Sequence, residues 1–218
     1  MRKKSNSRFA SRLMFLVLSS VFTMSVMAFL IIGIMVTRNI KQAGVDVAMA
    51  RSYEISIEVA KYIEKAVITA KNMSSSFMAI RKSMGSRENA IFIMLEALKN
   101  NPEYSSIWTM WEPNAFDNRD NYYLYDSLYN KTNGYMNLSC YRDNDKLLIE
   151  KGSIDKYNED FYVNPKKSQN IILFEPYYRS YTGNERERVF ETSVVIPITV
   201  RGQFYGVVGI NLNLQPLQ

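Results

Sequence analysis

The chain has 218 residues, a formal charge of +6 and no histidine, and its one cysteine is Cys140. These counts exclude an imidazole base, the usual zinc ligand sets and an intramolecular disulfide. Five of the positive charges, Arg2, Lys3, Lys4, Arg8 and Arg12, precede the first apolar run, leaving 22 basic against 21 acidic residues beyond it. That balance gives no electrostatic footprint for nucleic acid.

Residues 13–36 form 24 consecutive positions without a charge. As a helix rising 1.5 Å per residue they span about 36 Å, enough to cross a bilayer with some tilt. The basic flank in front sets residues 1–12 as a cytoplasmic tail under the positive-inside rule and puts residues 38–218 on the outer side of the membrane. A cleaved signal peptide is the competing reading, but its apolar core is shorter, and only Val26-Met27-Ala28 resembles a cleavage site.

Residues 37–84 contain no proline and one glycine, Gly44, so a long stalk helix is expected to continue from the membrane span. Val59, Ile63, Ala66, Ala70, Met73, Phe77, Ile80 and Met84 alternate steps of four and three, with Val45 and Met49 in the same register and Ser52 and Ser56 interrupting it. Such a seam serves a parallel homodimer through the stalk, or a long helix packed on its own domain. Gly85-Ser86 ends it, and a second helix is expected from Ser86 to Leu98, stopped before Pro102.

After Pro102 the pattern shortens to that of strands. They are expected at 106–111, 122–128, 135–142, 147–150, 171–174, 189–200 and 204–214, with Arg201-Gly202 as a tight hairpin and short helical turns within 155–168. Asp143 to Lys146 reads as a plain turn; it lacks the glycine and distal glutamate of a calcium loop, so no metal is assigned. The fold class is α+β, two helices followed by an antiparallel sheet of five or six strands. One sheet face would take the long helix, and the loops at 112–120 and 155–168 would cover the other as a small-ligand pocket. Gly206 and Gly209 are expected where the last strand passes close to another backbone.

Several strings then occur in order: Trp111-Glu112-Pro113-Asn114-Ala115-Phe116-Asp117, Phe161-Tyr162 with Pro165-Lys166, Glu175-Pro176-Tyr177-Tyr178, Thr192-Ser193 with Pro197-Ile198, and Gly206 to Leu212. With the anchor and stalk, they resemble the double Cache (dCache) sensor region of bacterial methyl-accepting chemotaxis receptors. The resemblance implies that residues 85–218 form the PAS-like, membrane-distal Cache module of a transmembrane chemoreceptor that signals by a ligand-driven shift. It also implies a membrane-proximal module, a second membrane helix, a HAMP linker and a signalling domain; none has a counterpart in these residues, so a partial receptor is expected. The same sensor serves membrane histidine kinases and diguanylate cyclases, which are the alternative outputs. An extracytoplasmic hydrolase is disfavoured, because no spacing pairs carboxylates such as Asp117 and Asp120 for catalysis. No catalytic residue and no cofactor is expected, and the chain is read as non-enzymatic.

In amino-acid-sensing members an Arg-x-Trp-Tyr string grips the ligand carboxylate. Glu159-Asp160-Phe161-Tyr162 is its simplest match, with an acid in place of the arginine; Arg179 and Asn211 stand where downstream acids are expected. The resemblance therefore implies a small organic ligand that is anionic or neutral, since a guanidinium repels an ammonium and pairs with carboxylates. The candidate ligand-binding residues are Phe161, Tyr162, Tyr177, Arg179, Asn211 and Trp111.

Overall fold

The computed structural model describes residues 3–144 and 146–217. Arg2 of the basic tail, Asp145 of the expected turn and the terminal Gln218 lie outside the described residues. The first helix, α1 (Lys3–Lys82), runs through the boundary between two compact units, which divide after Ser56.

In the first unit the apolar side chains from Leu13 to Val36 are all exposed, and α1 is the one helix among the described residues long and apolar enough to cross a membrane. Its hydroxyls are satisfied within the helix: Ser19 donates to the Leu16 carbonyl at 3.0 Å, Ser25 to Val21 at 2.9 Å and Thr37 to Gly33 at 2.8 Å. Internal satisfaction is what a hydrocarbon environment demands of polar groups.

In the second unit the end of α1 and α2 (Arg87–Lys99) cover one face of a sheet. Ala66, Ala70, Met73 and Phe77 are buried with Ala90, Met94 and Leu98, so this half of the heptad seam is spent inside its own module rather than on a second chain. The helix stops at Lys82, two residues before the expected end: Met84 takes a left-handed φ of 54° and the Gly85 amide bonds back to the Ile80 carbonyl at 2.9 Å. Met84 consequently leaves the seam and is 83% exposed.

The sheet has seven strands among the described residues: β1 (Tyr104–Trp111), β2 (Asn137–Asp143), β3 (Lys146–Lys151), β4 (Ile172–Leu173), β5 (Tyr177–Arg179), β6 (Val189–Val200) and β7 (Gln203–Asn213). Their order is β3-β2-β1-β7-β6-β4, with β5 also paired to β6, and every pairing is antiparallel. The expected hairpin at Arg201-Gly202 forms with both residues at positive φ, 50° and 79°, which matches the twist of paired strands. The strand without an expected counterpart is β5, three residues whose partner alone makes them a strand.

The strand expected at 122–128 does not form. Two 3₁₀ turns, Asp120–Tyr123 and Asn130–Thr132, occupy the region, and Asp126 accepts from the Leu128 amide at 2.7 Å while the Tyr129 amide bonds to the Asp126 carbonyl at 3.1 Å. Tyr122 and Tyr125 are 81% and 94% exposed: their β propensity has no buried face to act on, and local turn bonds win.

Along each strand side chains alternate between two cores. Ile107, Trp111, Leu138, Cys140, Val194, Ile196, Val208 and Ile210 pack against the helices, while Trp108, Met110, Val195 and Val207 face the other way with Tyr162. The loop after β1 departs from expectation. Phe116 belongs to the helix-side core, Ala115 accepts from Arg81 Nε at 2.7 Å, and Asp117 pairs with Arg87, so from Ala115 to Asp117 this loop caps the helix face, whereas Glu112 reaches the opposite one.

Candidate functional site

The face away from the helices carries the candidate site, and the strand register assembles it row by row. In one row Glu150, Ser139, Trp108, Gly209 and Val195 lie side by side across β3, β2, β1, β7 and β6. The next row toward the far end of β1 holds Asn137, Met110 and Val207; the row on the other side holds Tyr141, Ser106, Asn211 and Ser193. A bulge between Tyr104 and Ser106 turns Ser105 onto this face too, and both serine hydroxyls lie within reach of the Tyr181 hydroxyl.

Over these rows lie a 3₁₀ turn (Ile154–Asn158) and α3 (Asp160–Ser168), as expected for 155–168. Phe161 of α3 meets Trp108 edge to face, with ring centroids 5.3 Å apart. Between cover and sheet remains a cavity of about 40 Å³, room for about three waters. Its apolar walls are Trp108, Met110 and Phe161; its polar groups are Asn137, Ser139, Lys156, Tyr177, Arg179 and Ser193.

Two of those groups are cations, and both are tied to one acid. Arg179 donates to Glu150 Oε2 at 2.8 Å, and Lys156 Nζ stands 3.7 Å from Glu150 Oε1. Burial lowers the Lys156 ammonium from its ordinary value against the pull of Glu150. Burial also acts to lower the Arg179 guanidinium, but Tyr181, Glu150, Glu191 and Tyr177 outweigh it and hold it above its ordinary value. The guanidinium lies 4.7 Å from the centroid of Tyr181, whose ring stacks on Tyr141 at 5.1 Å.

Beneath the cavity a second layer is fully satisfied. Tyr177 and Ser193 share a hydroxyl bond of 2.7 Å; Asn211 Oδ1 accepts from Ser193 and from the Trp108 indole at 2.9 and 3.0 Å. The amide of Asn211 donates to Glu191 at 2.8 Å and to the Tyr181 hydroxyl at 3.1 Å, and Glu191 also accepts from Ser105 and Tyr181. Glu191 has no exposed surface, and burial pushes its carboxyl above the ordinary range. In contrast, the Ser139 hydroxyl, on a residue only 6% exposed, has no hydrogen-bond partner among the described residues, and Ser139 lines the cavity.

Of the residues singled out from sequence, Phe161, Tyr177 and Arg179 meet at the cavity. Asn211 spends its polar atoms on Trp108, Ser193, Tyr181 and Glu191 and so orients lining residues from below. Tyr162, next to Phe161 on α3, is buried outside the cavity lining: its hydroxyl bonds to Glu112, which also takes Lys166 at 2.6 Å. Trp111 faces the helix-side core, edge to face with Phe116 at 4.9 Å, its indole bonded to Thr109 at 2.9 Å. The period of two marks Trp108 and Met110 as the cavity-facing members of that strand, a signal present in the sequence once the direction of Trp111 is known. Lys156 and Ser139 carry no such signal, because each depends on a turn or a pairing distant in sequence. Among the described residues no cluster of three or more acidic, cysteine or histidine side chains could hold a metal ion.

Residues 90–218 match the family model described as methyl-accepting chemotaxis protein-like, first PDC sensor domain. The methyl-accepting chemotaxis protein TlpQ of Pseudomonas aeruginosa is 24% identical over 190 residues, covering 78% of this chain and 26% of that protein. Among solved structures, the extracellular domain of mmHK1S-Z2, described as a histidine kinase, is 28% identical with a TM-score of 0.60, covering 75% of this chain and 61% of that one. Methyl-accepting chemotaxis protein X superposes with a TM-score of 0.65 at 21% identity, covering 79% and 63%. The chain thus spans about a quarter of the curated relative's length and about three fifths of these solved chains.

Proposed function

This chain belongs to the family of methyl-accepting chemotaxis protein-like first PDC sensor domains, and we propose that it is the extracytoplasmic small-ligand-sensing portion of a transmembrane chemoreceptor. The observation that carries this reading is the cavity between the sheet and α3, walled by Trp108, Met110 and Phe161 and furnished with Lys156 and Arg179. Apolar walls with a few directed polar groups are the composition of a small-molecule site, and two cations make the ligand an anion. The ligand touches Phe161, Tyr177 and Arg179; Asn211 positions Trp108 and Ser193. Tyr162 and Trp111 have no part in contact. Ligand binding shifts the balance between two arrangements of the module, and α1 carries the shift inward.

Residues 13–36 anchor the chain in the inner membrane with the N-terminus in the cytoplasm, which the internally bonded hydroxyls and the basic flank support. Dimerisation falls to the stretch from Val45 to Ser56, because the seam beyond it is used within the module. The module is not an enzyme; it works by binding. A sensor of a membrane histidine kinase is the second reading, favoured by the 28% identity to mmHK1S-Z2.

Thermal shifts of the full chain in lipid nanodiscs test the reading against a panel of organic acids and amino acids. Organic acids raise the melting temperature of the wild type and fail to do so for Arg179→Ala. Stabilisation by amino acids alone, unchanged in Arg179→Ala, overturns the anionic ligand.

A further inference from the structure

Glu150 and Arg179 belong to opposite edges of the sheet. Glu150 lies on β3, Arg179 on β5, and four strands separate them in the order of pairing. At about 4.8 Å per strand the edges of a flat sheet would stand about 24 Å apart, beyond the reach of two side chains. Only a strongly curled sheet brings the carboxylate within 2.8 Å of the guanidinium. The pair therefore joins the two edges across the face that holds the cavity.

We propose that Glu150 is an internal stand-in for the ligand: a short monocarboxylate enters the cavity by displacing the Glu150 carboxylate from Arg179 and Lys156, and so unclasps the two edges. This rests on the reading of the cavity as an anion site. Three observations converge on it. Both lining cations point to one acid, which is itself about one third exposed and can swing into water without the cost of burying a charge. Ser139, directly opposite Glu150 on the neighbouring strand, presents a buried hydroxyl with no hydrogen-bond partner among the described residues, a donor suited to a carboxylate oxygen. The remaining wall, Trp108, Met110 and Phe161, is apolar, and the free space is about 40 Å³, which with the volume vacated by Glu150 suits a chain of two to four carbons at most, about the size of propionate. A dicarboxylate would bring a second charge against the apolar wall, at a desolvation penalty.

Binding of propionate to the full chain in nanodiscs, followed by calorimetric titration, reads the competition. Glu150→Gln keeps the side chain's size but removes the charge, and it binds propionate about tenfold tighter than the wild type, the scale of one charge-assisted hydrogen bond no longer surrendered. Glu150→Asp keeps the charge on a shorter arm and gains less. Glu88→Gln, the same charge change on an exposed position of α2, leaves the affinity unchanged. Far-UV circular dichroism and melting of each variant establish that the fold is kept. If wild type and Glu150→Gln bind propionate equally, and Arg179→Gln abolishes binding in both backgrounds, the anion site stands and the role of Glu150 falls. If propionate, acetate and butyrate bind to neither, the short-monocarboxylate proposal falls, and the anion reading falls with it only if the wider panel of organic acids also leaves the melting temperature unchanged.

Discussion

Gly209 leaves the space that the Trp108 indole fills: a Cβ on Gly209 would stand 2.0 Å from Trp108 Cε2 and 2.1 Å from Cζ2. The two residues are register partners on β7 and β1, so the ring lies over its neighbour's bare backbone, where Asn211 takes its N–H. Gly209→Ala forces the indole away from Asn211 and toward the cavity. The expected result is a loss of about 1–3 kcal/mol in chemical denaturation. The loss is accompanied by weaker binding of organic acids, measured by thermal shift. Gly206 differs in kind, since its Cβ would meet the backbone at Met110 O at 2.3 Å, with no side chain to give way.

Arg87 is the second buried keystone. Its guanidinium has no exposed surface, bonds to Asp117 at 2.8 and 2.9 Å, to Asp120 at 2.7 Å and to the Gly134 carbonyl at 2.6 Å, and sits 4.0 Å from the centroid of Tyr123. It fastens the start of α2 to the long turn region that was expected to be a strand. Arg87→Ala strands Asp120 in a site where burial already raises its carboxyl, and costs about 3–5 kcal/mol by urea denaturation. Arg87→Lys recovers only part of this, because an ammonium cannot reproduce the fork that serves two carboxylates and a carbonyl.

The extent to which sequence discloses this molecule follows the range of the interactions. Features set by neighbouring residues were legible: the uncharged run at 13–36, the stop at Gly85, the Arg201-Gly202 hairpin and the long strands β6 and β7. Features set by distant partners were not. Residues 122–128 have strand-like composition but no partner, while Tyr177 to Arg179 form a strand only because β6 is there. The heptad seam read equally as a dimer contact or a core contact, and it took α2 and the sheet to assign Ala66, Ala70, Met73 and Phe77 to the core. In the site, Phe161 and Tyr177 stand in the ordered strings and Arg179 two residues after Tyr177, but Ser139, Lys156 and Glu150 meet them only through strand register and the curl of the sheet.

Glu191 makes stability depend on pH in a defined direction. Its folded carboxyl holds a proton more tightly than the unfolded one, whose ordinary value is 4.5, because it is buried. The native state therefore binds more protons between those two values. The contribution is fully present below about 4.5 and is lost as pH rises through the folded value. Glu191→Gln removes this dependence. Melting temperatures of wild type and variant, taken at matched pH values upward from 4.5, should diverge with the variant gaining relative to the wild type as pH rises. Parallel curves would show that Glu191 titrates alike in both states. Arg179 acts in the opposite sense by favouring the carboxylate, so Arg179→Ala carries the decline to higher pH.

The seam makes a prediction about assembly that separates its two halves. Met73 is 3% exposed and packed in the core of its own module, whereas Met49 is 67% exposed in the same heptad register. A cysteine at position 49 is free to meet its counterpart in a parallel pair; one at 73 is walled off by α2 and the sheet. The native thiol does not interfere, since Cys140 is fully buried and burial pushes it up to about 12, leaving almost no thiolate at neutral pH. Mild oxidation of membranes should therefore yield a disulfide-linked dimer from Met49→Cys and none from Met73→Cys, read on a non-reducing gel. Cross-linking at both positions would mean that the module opens to exchange its helix between chains. Cross-linking at neither would remove the dimer from the stretch between Val45 and Ser56, and transmission would then have to run through a single α1.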